Sequence, residues 1–359
     1  MLFAAPELDA TDRAVLDLIE DQHRRLRPLV AAPRRWSGLL RKVALARAVR
    51  GSNAIEGFTV TVDDAFAILD NQEPHEAGEL AWRAVRGYRD AMTYVLQLAQ
   101  EPRLDICTHT LRALHFMMQQ YDLTKWPGRW RPDDVHVPGL IDELVAAVNG
   151  SGTTPVLVRA AMAHLDLVAI QPFKEGNERM ARCLQTLVLA GGGRFAAPEF
   201  ASIEEDLGRN DQEYRHVLAL VTGGLWDPGR DTRPWIRFCL TAHYRQALRI
   251  VYRAEHVSRL WVCAEEEISR AGLPDRCVQP LVYCMSGRQL RNSTYRQLTE
   301  GVSQNVAGRD LVDLVRADLL DARGEKRGRY YAPSPRMRLA AVASAELSVE
   351  GNPYEMTPT

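Results

Sequence analysis

Apolar residues recur along this 359-residue chain at intervals of three and four, and that period restricts it, more than any other feature, to a helical fold. Behind a cap signal at Asp9 and Thr11, Val15, Leu18 and Ile19 repeat within a helix expected over 10–26. Leu80, Val85, Tyr88, Met92, Val95 and Leu96 fall near one face of residues 77–99. The same pattern predicts helices over 105–119, 139–149, 155–170, 176–190, 211–221 and 233–265. Strand signals are few: Val135 to Val137, after the turn Trp126-Pro127-Gly128, and Gly328 to Ala332. The expected class is therefore mainly α.

Composition narrows the functions open to such a fold. Hydrophobic residues make up 46% and charged residues 25%, which excludes disordered or collagen-like chains. Lys and Arg number 45 against 46 Asp and Glu, so no basic field covers the whole molecule. Six cysteines lack a CxxC pair and nine histidines lack an HExxH spacing, which points to reduced core thiols and no structural metal. The N-terminal segment carries acids where a signal peptide needs bases, and no apolar run is long enough for a membrane span. The expected location is the cytoplasm, with no membrane partner.

The most informative string is Gln171-Pro-Phe-Lys-Glu-Gly-Asn-Glu-Arg-Met-Ala-Arg182. A helix runs into Pro172, and Gly176-Asn177 opens a second helix that carries Arg179 and Arg182. Unpaired N–H groups at a helix start suit phosphate oxygens, and guanidinium groups at i and i+3 share a face. Glu175 could hold Mg²⁺ by its carboxylate. A capped, solvated helix start remains the plain alternative.

This string resembles the Fic (Fido) family motif HPFx(D/E)GN(G/K)RxxR at Pro172, Phe173, Glu175, Gly176, Asn177, Arg179 and Arg182. Members that inhibit themselves through an N-terminal helix carry (S/T)xxxE(G/N), and Ser52-Asn-Ala-Ile-Glu56-Gly57 matches it about 115 residues upstream. The resemblance implies a Fic helical fold with a short β-hairpin flap. It also implies a site for ATP or another nucleotide with Mg²⁺, in which Gly176, Asn177, Arg179 and Arg182 bind nucleotide and Glu175 holds the metal. Glu56 would compete with a terminal phosphate for Arg182. Val135, His136 and Val137 would form the flap that holds a protein substrate by strand addition. Family members often pair, so a homodimer is expected.

Two positions depart from the family pattern. Gln171 stands where the family has its general-base His; an amide has no titratable proton near neutrality, and such a loss costs ~10²–10⁴-fold in rate. Glu178 brings a carboxylate to the first turn of the helix, where phosphate would compete for the same positive end. The expected site is weakened or repurposed. Transfer without the usual base, a nucleotide-holding pseudoenzyme and a scaffold all stay open.

Residues 285–339 hold eleven Lys and Arg against six acids. Thr294 to Leu298, a turn at Glu300-Gly301, a second helix capped by Ser303 and a hairpin over 321–331 together resemble a winged helix-turn-helix. That likeness implies DNA as a partner, with Ser303, Gln304, Asn305 and Arg309 facing a groove and Lys326, Arg327 and Arg329 meeting phosphate. Docking to protein is the alternative. The expected domains are an N-terminal helical region (1–100), a Fic core (101–240), a helical linker (241–284), the winged unit (285–339) and a tail (340–359).

Overall fold

A computed structural model describes all residues except 31–35, 75, 102–103, 151, 193–194, 196, 224–226, 326–327, 343–350 and 357–359. The chain forms two compact units, one of Met1–Arg27, Arg41–Ile250 and Glu350–Thr359, the other of Pro28–Leu40 and Val251–Val349. Lys326 and Arg327 lie outside the described residues.

The chain is helical almost throughout. In order come α1 (Ala10–Val30), α2 (Ser37–Ile55), α3 (Val62–Leu69), α4 (Glu79–Leu98), α5 (Thr108–Gln119) and α6 (Val137–Asn149). They are followed by α7 (Val156–Ile170), α8 (Asn177–Gly191), α9 (Glu204–Arg209), α10 (Asp211–Thr222) and α11 (Arg233–Arg270). The antiparallel pair α7 and α8 forms the centre of the first unit. Arg179 to Ala190 of α8 are buried without interruption, and most of α7 is buried too, so neither helix has a solvent face. Trp235 at the start of α11 closes this core, its indole N–H donating to the Ala161 carbonyl at 2.7 Å. His164 is likewise a core residue, with no exposed surface.

Several sequence expectations need correction. Val135 and His136 lie in a turn and Val137 is the first, fully buried residue of α6, so the strand expected over 135–137 does not form. Pro138 explains this, because its fixed φ suits a helix start and its missing N–H cannot serve a strand ladder. The nearest β pairing is an isolated antiparallel bridge between Trp130 and Phe173. Cys107 is exposed rather than in the core. The expected tail includes a short helix, α16 (Pro353–Met356), in which Tyr354 donates its hydroxyl to Asp12 and lies under the Arg237 guanidinium.

The second unit contains α12 (Val278–Met285), α13 (Asn292–Leu298), α14 (Gln304–Arg316), β1 (Leu320–Arg323), β2 (Tyr330–Pro333) and α15 (Pro335–Val342). The Ser303 hydroxyl caps α14 by accepting from the Val306 N–H, as its sequence position predicts. The two strands pair antiparallel, with Leu320 opposite Pro333, and Leu290 extends the pairing through a bridge to Tyr331. Among the described residues no helix is long and apolar enough to cross a membrane.

Candidate nucleotide-phosphate site

The site begins where α7 stops. Gln171 takes the left-handed conformation (φ 48°), which ends the helix, and Pro172 prevents its resumption. Three contacts then hold the next residues. Asn177 grips Phe173 from both sides, accepting from its N–H and donating to its carbonyl, each at 2.9 Å. The Phe173 ring stacks on His115 with centroids 3.6 Å apart. Arg131 donates its backbone N–H to the Pro172 carbonyl and its Nε to the Gln171 carbonyl. Asn177, expected to bind nucleotide, thus has its amide committed to shaping the loop.

His115 also fastens the loop to the turn at 126–131. Its Nδ1 accepts from the Gly128 N–H, so its Nε2 carries the proton and donates to the Glu175 carbonyl. Burial pushes its pKa down to about 4, so the neutral ring needed for both bonds persists through neutral pH. Gly176 has φ +78°, and a Cβ there would run into the buried Gln119 amide. Only glycine satisfies both constraints.

Helix α8 starts at once after this turn, and the N–H groups of Asn177, Glu178 and Arg179 have no carbonyl one turn back within the helix. Arg179 and Arg182 point inward and are buried. Arg179 reaches Asn53 and Tyr121 at 3.3 Å each and stands over the Phe58 ring. Arg182 is completely buried; its guanidinium donates to the Ser52 hydroxyl (2.8 Å), Tyr214 (3.2 Å) and Glu56 (2.7 Å). Glu178 approaches the same guanidinium at 3.7 Å.

Glu56 is positioned by the end of α2. Phe58 N–H bonds back to Asn53 carbonyl and Gly57 N–H to Ala54 carbonyl, with Gly57 at φ +83°, which closes the helix and leaves Glu56 in the turn just after it, facing Arg182. The sequence-derived residues Glu56, Gly176, Arg179 and Arg182 therefore converge. Gln171 stands at the loop's exposed rim. Glu175 is also exposed, and its carboxylate pairs with Lys125. Val135 and His136 are exposed in their turn, and Val137 is not available. Sequence reasoning missed Ser52's grip on Arg182, His115, Gln119, Arg131 and Tyr214. Each acts through a contact distant in sequence, which no local spacing announces.

Residues 106–189 match the model of the Fic/DOC family. The chain carries a Fic domain. A protein adenylyltransferase Fic from Nematostella vectensis is 26% identical over 249 residues, covering 66% of this chain and 55% of that protein. The chain thus matches little more than half the length of that relative. Among solved structures, a Fic family protein from Desulfovibrio desulfuricans G20 has a TM-score of 0.59 at 18% identity, covering 92% of this chain and 98% of that one. Fic-1 (residues 134–508) from C. elegans has a TM-score of 0.56 at 22% identity, over 68% of this chain and 73% of that one. At these identities the two structures share the fold, mainly helical as the periodicity predicts. The second unit contributes nothing to the family match, which ends in α8.

Proposed function

We propose that this Fic domain holds the phosphates of a nucleotide on the loop before α8 and on that helix's first turn, and that transfer of AMP to protein hydroxyls is impaired. The observation that carries the first half is Arg182. A guanidinium with no exposed surface, held by Ser52 and Tyr214 beside a helix N-terminus, is a preorganised anion partner, and the nearer of the two carboxylates facing it is Glu56. Glu56 imitates an anion there and keeps the site shut.

Gln171 supports the second half. In AMP transfer a hydroxyl oxygen forms a bond to the α-phosphorus, the bond to the β-phosphate bridge breaks, pyrophosphate leaves, and the hydroxyl proton must go to a base. The amide of Gln171 can orient a hydroxyl but cannot take that proton. His164 cannot replace it, because it is sealed in the core. A bound Mg²⁺ would rest on Glu175 and on the nucleotide's own phosphates, since Mg²⁺ commonly uses one or two protein carboxylates. Glu175 fits that part, being exposed, once Lys125 releases it.

The test is labelling with α-³²P ATP and Mg²⁺ in a background where both carboxylates at Arg182 are neutralised (Glu56→Gly with Glu178→Gln). Label only after Gln171→His is added supports the reading. Label with Gln171 in place would make this an active transferase that works without the usual base, and would overturn the impairment.

A second reading, DNA recognition by the second unit, is favoured by the fate of Asp310. This acid faces inward, bidentate to Arg276 at 2.7 and 2.8 Å and accepting from Tyr295 at 2.7 Å. The outer side of α14 is thereby left with Gln304, Asn305, Arg309 and Arg316, and one acid, Asp313, paired with Arg316, around an open groove of about 720 Å³ that also includes Asn292. Amide and guanidinium groups on one helix face are the chemistry of base edges and phosphates. Protein docking is the competing outcome.

A further inference from the structure

Two carboxylates, not one, converge on Arg182. Glu56 reaches it from the end of α2 at 2.7 Å, and Glu178 from the first turn of α8 at 3.7 Å. Glu56 and Glu178 also lie within hydrogen-bonding reach of one another. The charges facing Glu178 are Glu56, Arg182 and Arg215, and the Tyr214 hydroxyl accepts from Nη1 of Arg182, the nitrogen that Glu178 approaches; Arg215 donates to the Ile55 carbonyl. Arg179 is turned toward Asn53, Tyr121 and Phe58. The two acids therefore cancel the two guanidinium groups nearest them. Burial, with the Glu56 charge added to it, pushes Glu178 above the usual carboxylate range.

The two acids differ in one respect. Glu56 lies beyond the last residue of α2, on a turn, whereas Glu178 is the second residue of α8 and is fixed by the helix that also forms the phosphate loop. Removing Glu56 leaves one acid on the guanidinium. Binding of a phosphate at Arg182 would then set its oxygens against the half-buried Glu178 carboxylate, where charge is poorly screened.

We infer that Glu178 determines phosphate number at this site: it denies Arg182 to a terminal phosphate, so that the domain takes a nucleoside mono- or diphosphate in preference to a triphosphate. The inference rests on the nucleotide reading above and concerns only which nucleotide. Its structural basis is a carboxylate built into the motif itself, which release of Glu56 does not displace.

Titration calorimetry with AMP, ADP and ATP, each with Mg²⁺, distinguishes the possibilities in four proteins: native, Glu56→Gly, Glu178→Gln, and the double variant. Glutamine keeps the size and helix propensity of Glu178 while removing its charge. In Glu56→Gly, ADP is expected to bind at least as tightly as ATP. Adding Glu178→Gln is expected to tighten ATP by about tenfold or more, equivalent to about 1.4 kcal/mol, with AMP changed by less than about twofold. If Glu56→Gly alone prefers ATP over ADP by about tenfold and Glu178→Gln adds nothing, the inference is overturned and the nucleotide reading stands. If none of the four proteins binds any of the three nucleotides, both are overturned.

Discussion

Arg182 owes its direction to a chain of buried polar groups in which every proton can be assigned. Arg182 donates to the Tyr214 oxygen, so the Tyr214 hydroxyl proton is available to His164 Nε2 at 3.0 Å, and His164 Nδ1–H donates to Gln185 Oε1 at 2.6 Å. Complete burial pushes His164 down to about 3, which preserves the neutral ring that this order requires. Tyr214→Phe leaves Arg182 and His164 each short of a partner, and is expected to cost about 1–3 kcal/mol in urea denaturation. Asp166, on α7, accepts from the Phe3 N–H at 2.9 Å, and burial raises its pKa from 3.8 to about 7. The folded state thus holds a proton that the unfolded chain has lost, so stability falls as pH rises from about 4 to 7. Asp166→Asn keeps the acceptor and removes the charge. It should flatten that decline and gain about 1–3 kcal/mol at pH 8, read by urea denaturation at pH 5 and 8; an unchanged decline would show that Asp166 is not its source.

Among the elements, the helix pair that carries the motif was legible in sequence to within a residue at each end, because a proline and a glycine punctuate it and its apolar runs are long. The strand over 135–137 misled because Val-His-Val alternates like a strand, whereas the burial of Val137 and the proline after it belong to a helix start. The docking of α2 could not be read at all, since it depends on two glycines 157 positions apart. A Cβ on Gly208 of α9 would lie 2.6 Å from the Gly51 Cα, so the two backbones touch where only hydrogens fit. This contact is one residue before Ser52 and sets the height at which α2 presents Glu56. Gly208→Ala must push α2 away. We expect a loss of about 1–3 kcal/mol in stability and, if Glu56 blocks the site as proposed, nucleotide affinity closer to that of Glu56→Gly. Lost stability with affinity unchanged would mean that α2 keeps its place by other contacts.

For the whole molecule, the formal charge of -1 means that any nucleic-acid binding must come from a local surface, and this makes the DNA reading measurable. Counting charges along residues 285–339 shows their basic surplus but not which acids face outward. Asp310 and Asp313 look alike on α14, yet Asp310 is buried against Arg276 while Asp313 remains at the rim, 3.2 Å from Arg316. Arg309 and Arg329 are exposed, one on α14 and one just before β2. If they meet phosphate, each contributes one released counterion, and the slope of log affinity against log salt records it. Anisotropy titrations of a labelled duplex by the full chain from about 50 to 200 mM salt should show a negative slope that drops by about one with Arg309→Ala and again with Arg329→Ala. Asn305→Ala should leave the slope alone and relax discrimination between sequences, because an amide reads base edges rather than phosphate. A slope unmoved by either arginine would assign the exposed face of α14 to a protein partner instead.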